Sequence, residues 1–302
     1  VRNGVFVGLS TVDVVYEVDE FPLANSKVVA RSQEVFAGGP AANASIAFAH
    51  LGGKSTLVTA AGRHPLASTI RGELERFSIR LLDLNPEFDK APAISSVSVN
   101  KTGERNVVSA NATRVSALPA QVDEATLAGT SFLLVDGHYM EACQVWSRAA
   151  RVRGVLVVFD GGSWKDGTEE LITSVDTAIC SADFMPPGCL TPADVFEYLR
   201  GCGVRNIAIT DGAEPIRFVS DAASGIVPVP HVQVVDSMGA GDIFHGAFCY
   251  YTSIGLGLRE ALTDSATVAT ESCRFRGPRE WMKHSARHRG LVSELYSKQA
   301  VE

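Results

Sequence analysis

No run of about 18 apolar residues occurs anywhere in the chain, so no segment reads as a membrane-spanning helix. Paired cysteines are missing too. Cys143, Cys180, Cys189, Cys202, Cys249 and Cys273 contain no C-x-x-C spacing, which argues against a structural zinc site. Several of them sit in apolar segments and read as small core residues, as expected of a reducing, cytoplasmic setting. Positive charge is not in excess: 27 Lys and Arg against 34 Asp and Glu leave a net charge of -7, which argues against nucleic acid as the main partner. No G-x-G-x-x-G follows the first apolar segment, so a dinucleotide dehydrogenase is disfavoured, and no G-x-S-x-G elbow is present. Gly53-Lys54-Ser55-Thr56 looks like half a phosphate loop, but Phe48 stands where its first glycine belongs. That stretch also lies between a helix and a strand, the reverse of the motif's order. The chain enters an apolar segment by Val5, so no signal peptide is expected, and because it starts at Val1 a few residues are expected to precede it.

What is present is an alternation of short apolar runs with amphipathic stretches, the pattern of an α/β fold with a largely parallel sheet. Strands are expected at 4–8, 55–61, 132–136, 155–160 and 206–210. Helices are expected at 41–51, 66–77, 191–199, 241–254 and 258–273, with another running through Trp146 and Ala150. Thr191-Pro192 reads as an N-cap followed by proline at the first helical position. The basic tail from Trp281 is expected to end in a helix. Two segments, 12–35 and 93–110, instead alternate apolar and polar residues with β-branched content, as at Val97, Val99, Val107 and Val108. They are expected to add antiparallel strands to the main sheet and to form a small β lid. The division that follows is an α/β core of 1–11, 37–91 and 112–302, and a discontinuous lid of 12–36 and 92–111.

The stretch richest in chemistry is Asp236-Ser237-Met238-Gly239-Ala240-Gly241-Asp242. Gln233-Val234-Val235 before it reads as a short strand, and a helix is expected to begin near Asp242. Small residues at a helix start leave backbone N–H groups open to an anion, which the helix dipole also favours. A carboxylate in that place can take a proton from a hydroxyl, so an anion hole and a general base would stand side by side, as phosphoryl transfer to an alcohol requires. Alone, Asp242 also fits a plain helix cap. Near the other end, Gly38-Gly39-Pro40-Ala41-Ala42-Asn43-Ala44 puts two glycines before a helix of small residues. Such glycines let backbone approach a ligand, and the Asn43 amide can donate and accept toward hydroxyls. Asp13 stands five residues after Gly8, just past the first strand, where a carboxylate can grip a polyol.

Taken together these stretches resemble the ribokinase-like (PfkB) carbohydrate kinases. The heptapeptide matches the family's D-[TS]-x-G-A-G-D signature, 38–43 its G-G-x-x-x-N, and 8–13 its early G-x-x-x-x-D. Thr210-Asp211-Gly212 is similar to the T-x-G segment at the nucleotide phosphates, and Gly103-Glu104-Arg105 to a lid turn. Arg274-Phe275-Arg276-Gly277 closes the nucleotide side in the family pattern. The order and spacing hold from about Val5 to Gly277. The resemblance implies a three-layer α/β/α fold with a β lid. It implies Asp242 as base, with the Gly239, Ala240 and Gly241 backbone as anion hole. Asp13, Gly38, Gly39 and Asn43 would take the substrate, and Thr210, Gly212, Asp236, Gly239 and Gly241 the nucleotide. ATP and Mg²⁺ are the implied cofactors, with a monovalent cation such as K⁺ admitted, and a homodimer through the lid is the implied assembly.

The chain departs from the family at N-x-x-E. Here Cys180-Ser181-Ala182-Asp183-Phe184 lacks the Asn and has Phe184 at the Glu position, so no metal ligand is assigned. After Gly212, Glu214-Pro215 replace the usual second glycine. The loops Asp136-Gly137-His138-Tyr139-Met140-Glu141 and Asp160-Gly161-Gly162-Ser163-Trp164-Lys165 look closest to bacterial ketohexokinase- and fructokinase-like members. They point to a ketohexose or related monosaccharide as substrate. His138 and Trp164 fit either ligand contact or loop packing, and His245 fits either substrate contact or a packed or partly exposed histidine. A nucleoside kinase on the same scaffold, or a non-catalytic sugar- or nucleotide-binding regulator, are the alternatives.

Overall fold

The computed structural model describes residues 2–102, 104–110, 117 and 121–284. The chain opens with β1 (Asn3–Val7), β2 (Thr11–Glu17), β3 (Ser32–Gly38), α1 (Pro40–His50), β4 (Lys54–Thr59), α2 (Ala67–Arg76) and β5 (Arg80–Asp83). It continues through β6 (Ile94–Val99), β7 (Arg105–Ala110), α3 (Glu124–Leu127), β8 (Phe132–Val135), α4 (Met140–Val152), β9 (Leu156–Gly161), α5 (Thr168–Ile172) and β10 (Thr177–Ser181). The last part holds α6 (Pro192–Gly201), β11 (Asn206–Asp211), β12 (Glu214–Val219), β13 (Ser224–Val227), α7 (Ala240–Ser253), α8 (Leu258–Ser272) and α9 (Trp281–His284). Thr191 caps α6 in a full capping box with Asp194, with Pro192 opening the helix as the sequence predicts. Gly103 of the lid turn and the expected tail helix beyond His284 lie outside the described residues.

The main sheet has nine strands in the order β13-β12-β11-β10-β9-β8-β1-β4-β5. From β5 across to β11 all pairings are parallel, and β12 and β13 add an antiparallel edge. Strands with both faces covered read as near-continuous apolar runs, and β8 (Phe-Leu-Leu-Val) is one throughout, buried at every position. Phe6, Leu134, Val158, Ile179 and Ala208 enter the core that also holds Phe48 of α1, Ile243 of α7 and Leu262 of α8. Their neighbours Val5, Val7, Leu133, Val135, Val157 and Ile207 enter the opposite core with Cys143 and Trp146 of α4 and Val195 and Leu199 of α6. The period of two thus sorts one strand's residues between two helical layers. Cys143, Cys180 and Cys249 are buried, and all six thiols are unpaired.

The second sheet corrects the expectation in two ways. The lid strands do not extend the main sheet but form a separate four-stranded sheet, β3-β2-β6-β7. Nor are they all antiparallel: β2 pairs β6 in parallel, with Asp13 opposite Ser95. A parallel pair needs a long crossover, and the chain supplies it by passing through α1, β4, α2 and β5 between the two lid segments. The expected strand at 233–235 is absent. The segment is extended coil whose Val235 and Asp236 N–H groups both donate to Cys273 O, at 2.8 and 3.1 Å, so a loop carbonyl takes the place of a strand neighbour.

One packing detail positions the site. A Cβ on Gly246 would strike the Ala44 carbonyl and the Ala47 side chain. Helices α1 and α7 therefore touch backbone to backbone, through the small residues that the sequence places there. Beneath α1, Phe48 packs against Phe6 and Phe132 with centroids 5.5 and 5.0 Å away. All three rings are at most 1% exposed. Phe48→Ala should lower the unfolding free energy by about 3–5 kcal/mol. Urea unfolding measures it, and a loss below about 1 kcal/mol would mean that the ring cluster is not a packing centre.

Candidate active site

The site is built at the carboxyl ends of β1, β8, β9 and β10, where an open α/β sheet places ligands. Its frame is Asp136, a buried carboxylate just past β8. Its Oδ2 accepts from the N–H of Leu9 (2.8 Å) and of Ala41 (3.2 Å), and its Oδ1 from the N–H of His138 (2.8 Å). One side chain thereby joins the loop after β1, the start of α1 and the loop after β8. Gly8 is required because a Cβ there would fall on this carboxylate.

Asp13 enters from β2 and is buried. Its Oδ1 accepts from Thr11 Oγ1 at 2.6 Å, and a side chain on Gly38 would occupy the space of its carboxylate. Burial raises its pKa, while the Thr11 hydroxyl, the Arg279 charge and Ser95 oppose that rise. Gly39 is the N-cap of α1 with φ 92°, pressed on the Leu9 carbonyl. This positive φ is where the Gly-Gly pair is needed. Four residues on, Asn43 Nδ2 donates to Asp242 Oδ2 at 2.7 Å, joining residues 199 positions apart.

Asp242 lies in the first turn of α7, which begins at Ala240 with Gly239 as its left-handed N-cap (φ 71°). The Ile243 N–H is the first to bond within the helix, to Gly239 O at 2.8 Å. The earlier N–H groups have no helical acceptor. Ala240 N–H is nevertheless used, by Ser237 O at 3.2 Å, which takes it out of the anion hole expected from the sequence. A Cβ on Gly241 would meet nothing within 4 Å, so the space in front of it is open. Burial, then the neighbouring carboxylate of Asp160, lift the Asp242 pKa to about 7, against the Asn43 hydrogen bond and the His245 charge. Near neutrality such a group can accept a proton and later return it.

The remaining expected residues lie around this centre. Asp236 Oδ1 accepts from Met238 N–H at 2.9 Å and from the Arg105 guanidinium, and its Oδ2 from Gly277 N–H at 2.9 Å. Arg105 also reaches Ser237 Oγ at 3.1 Å. Since Arg105 belongs to β7, and Glu17 of β2 is paired with Arg276, the lid is tied at two points to the loops that carry Asp236 and Arg276. Thr210 and Gly212 sit farther along the rim, at the end of β11 and in the turn to β12. Thr210 donates to Cys180 O at 3.4 Å, and no hydrogen bond links it to the Asn43–Asp242 pair.

Several residues at the centre carried no assigned role in the sequence. Asp160, at the end of β9, is buried beside His245, whose Nδ1 is 3.5 Å from its Oδ2. Burial raises the Asp160 pKa, opposed chiefly by the His245 charge. The ring nitrogens of His245 face Gly241 O (2.8 Å) and Ile179 O (3.2 Å), so it is packed, as one of the two expectations held. Arg279 and Glu73 form a further pair, at 2.6 Å. The signal for Asp136 and Asp160 was available: each ends an apolar strand, in Phe-Leu-Leu-Val-Asp and Leu-Val-Val-Phe-Asp. Trp164 packs on Phe184 and Tyr198, with centroids 5.6 and 5.7 Å away. Phe184, which replaces the expected metal-organising Glu, is 1% exposed and part of that aromatic core.

The raised Asp242 pKa has a consequence for stability. The folded chain holds this proton to higher pH than the unfolded chain, so stability falls as pH rises from about 3.8 to about 7. Asp242→Asn should therefore melt several degrees above the parent at pH 8, with the gap closing toward pH 4. Thermal melts across that range measure it, and a difference independent of pH would contradict the assigned environment.

The comparisons with known proteins agree with this geometry. Residues 2–284 match the pfkB family carbohydrate kinase family. The chain is 22% identical over 254 residues to a ribokinase of Haemophilus influenzae, covering 80% of this chain and 82% of that one. It is 28% identical over 254 residues to an aminoimidazole riboside kinase of Salmonella typhimurium, covering 78% and 80%. Among solved structures, a putative ribokinase from Agrobacterium tumefaciens superposes with a TM-score of 0.84 at 22% identity, covering 97% and 99%. The expectation that ketohexokinase- and fructokinase-like proteins stand nearest is not supported, since these relatives are ribose and riboside kinases. The two loops behind that expectation turn out to carry the buried Asp136 and Asp160 and the packed Trp164, which serve the frame of the site. With its family signatures brought together around one buried carboxylate, the chain belongs to the pfkB carbohydrate kinases and is an ATP-dependent kinase of a sugar hydroxyl.

Proposed function

We propose that the acceptor is a small neutral monosaccharide held between Asp13 and Asn43, with Asp242 as the general base. The observation that carries this reading is the hydrogen bond from Asn43 to Asp242, which brings a hydroxyl-binding amide and a proton acceptor to the same point. Asp242 Oδ2 is occupied by that amide, and Oδ1 faces the acceptor hydroxyl. The hydroxyl proton passes to Oδ1 as the hydroxyl oxygen attacks the γ-phosphorus, and the bond from that phosphorus to the bridging oxygen breaks to release ADP. The N–H groups at the start of α7 receive charge that develops on the transferred group. Asn43 Nδ2 retains one N–H for a sugar hydroxyl, since its other proton goes to Asp242 and its Oδ1 accepts from Arg279.

A pentose of the ribose type ranks first as acceptor, because the relatives carry ribose and riboside names. The ketohexose expected from the sequence stands second, and a riboside third. The Mg²⁺ that accompanies ATP takes oxygen ligands and keeps several waters, neutralising phosphate charge when bound. Among the described residues no group of three His, Cys, Asp or Glu forms a metal cage. The exposed Asp183, just past β10, is the carboxylate this segment offers.

The test is ADP release with Mg-ATP against pentoses, ketohexoses, aldohexoses and nucleosides. Turnover should concentrate in one class, and Asp242→Asn should lower kcat by roughly 10²- to 10⁴-fold. Retention of parental turnover by Asp242→Asn would remove the base from the mechanism. Binding without turnover across the panel would favour a sugar-binding regulator.

We also propose the lid as the face of a homodimer. Val35, Val14, Ser96 and Val108 form one row across its four strands. Val35 and Val108 are 48% and 72% exposed, and β7 leaves an open edge. Val108→Glu should convert a dimer to a monomer in light scattering, and a parent that is already monomeric would end this proposal.

A further inference from the structure

Arg279 lies in the loop before α9, outside the motifs that mark the site, yet its side chain is only 13% exposed. Its Nε donates to Glu73 Oε1 of α2 at 2.6 Å. Its Nη2 lies 2.8 Å from both Ala37 O and Asn43 Oδ1 and donates to each. The second oxygen of Glu73 accepts from the N–H of Ala37. Both polar atoms of Ala37 are thereby clamped, immediately before Gly38-Gly39. A single guanidinium thus ties α2, the end of lid strand β3 and the first turn of α1.

The contact with Asn43 bears on the chemistry. A carboxamide can present either its oxygen or its NH₂ to a neighbour. A guanidinium only donates, so the end of Asn43 that faces Arg279 must be the oxygen, and the NH₂ is directed at Asp242. Without the guanidinium the amide could turn over and set its oxygen against the Asp242 carboxylate.

From this geometry we infer that Arg279 is a positioning residue for the phosphoryl transfer, acting through Asn43 to hold its NH₂ on Asp242. The inference rests on the reading of Asp242 as base for its effect on rate, but the orientation of Asn43 can be measured without turnover. Lysine keeps the charge opposite Glu73 but gathers its donors on one nitrogen, so it cannot span Glu73 on one side and Ala37 and Asn43 on the other as Nε and Nη2 do. Arg279→Lys is therefore the variant expected to fold with the anchor lost, and Arg279→Met removes both charge and fork.

The first readout is the titration of the Asp242 carboxyl carbon by ¹³C NMR in the ligand-free protein, its signal identified by its loss in Asp242→Asn. The groups that face this carboxyl are Asn43 from α1, Asp160 from β9, Asp136 after β8 and His245 from α7. Arg279 and Glu73 lie behind Asn43. Of these only Arg279 and Asn43 are altered in the test, so Asp160, Asp136, His245 and Glu73 stay in place. Loss of the donated hydrogen bond should raise the Asp242 midpoint in Arg279→Met and in Asn43→Ala by similar amounts, with Arg279→Lys between them and the parent. The second readout is kinetic. At saturating substrates, kcat should fall roughly tenfold, as for about 1.4 kcal/mol of lost positioning. The acid limb of the pH profile should move to higher pH. The double variant Arg279→Met/Asn43→Ala should be no slower than Asn43→Ala alone. An unmoved midpoint in both Arg279 variants, or additive losses in the double variant, would overturn the inference and leave Arg279 a purely structural clamp. Should the parent phosphorylate no sugar, the kinase reading fails, while the NMR titration still decides the role of Arg279.

Discussion

Everything chemical in this molecule hangs on the close approach of α1 to α7. Gly246 meets Ala44 and Ala47 with no side chain between them, and this contact brings Asn43 and Asp242 to 2.7 Å from opposite thirds of the chain. Larger residues at these points would separate the helices and leave Asp242 as an ordinary capped carboxylate. The same proximity buries Asp242, and burial is the leading reason that its pKa rises toward neutrality. Packing and acid–base chemistry are thus one arrangement.

The rim of the sheet gathers three carboxylates, Asp136 and Asp160 buried and Asp242 half-buried. Each is accommodated differently. Asp136 is surrounded by backbone N–H groups and works as a structural tie. Asp160 is set beside His245. Asp242 has a side-chain hydrogen bond from Asn43, and desolvation with the Asp160 charge lifts its pKa to about 7. Such an arrangement costs stability, and it leaves one group of the three poised for reaction.

The lid repeats the theme of charge used as a tie. Arg105 to Asp236 and Glu17 to Arg276 join two lid strands to two separate core loops. Partly exposed ion pairs are individually weak, so they can hold a lid closed and still release it. The parallel pairing of β2 with β6 makes the lid depend on the core, since the crossover between them is the core itself.

The strands with continuous apolar runs and the helices with caps were legible in the sequence, because burial on two faces and the Thr191-Pro192 start leave local marks. The signature residues Asp13, Asn43 and Asp242 were legible for the same reason, since glycine and small-residue requirements are local. Misread were the lid, whose parallel pairing depends on chain path, and 233–235, whose hydrogen bonds go to Cys273 rather than to a strand. Arg279, Glu73, Asp160 and His245 stand alone in sequence, and no spacing joins them to the motifs. The sequence by itself therefore determined most of the core elements, the two signatures and the glycine turn before α7, whose causes lie within a few residues. Only the tertiary structure decided the raised pKa of Asp242, the orientation of Asn43 and the ties of the lid, because each depends on burial and partners brought in from distant segments.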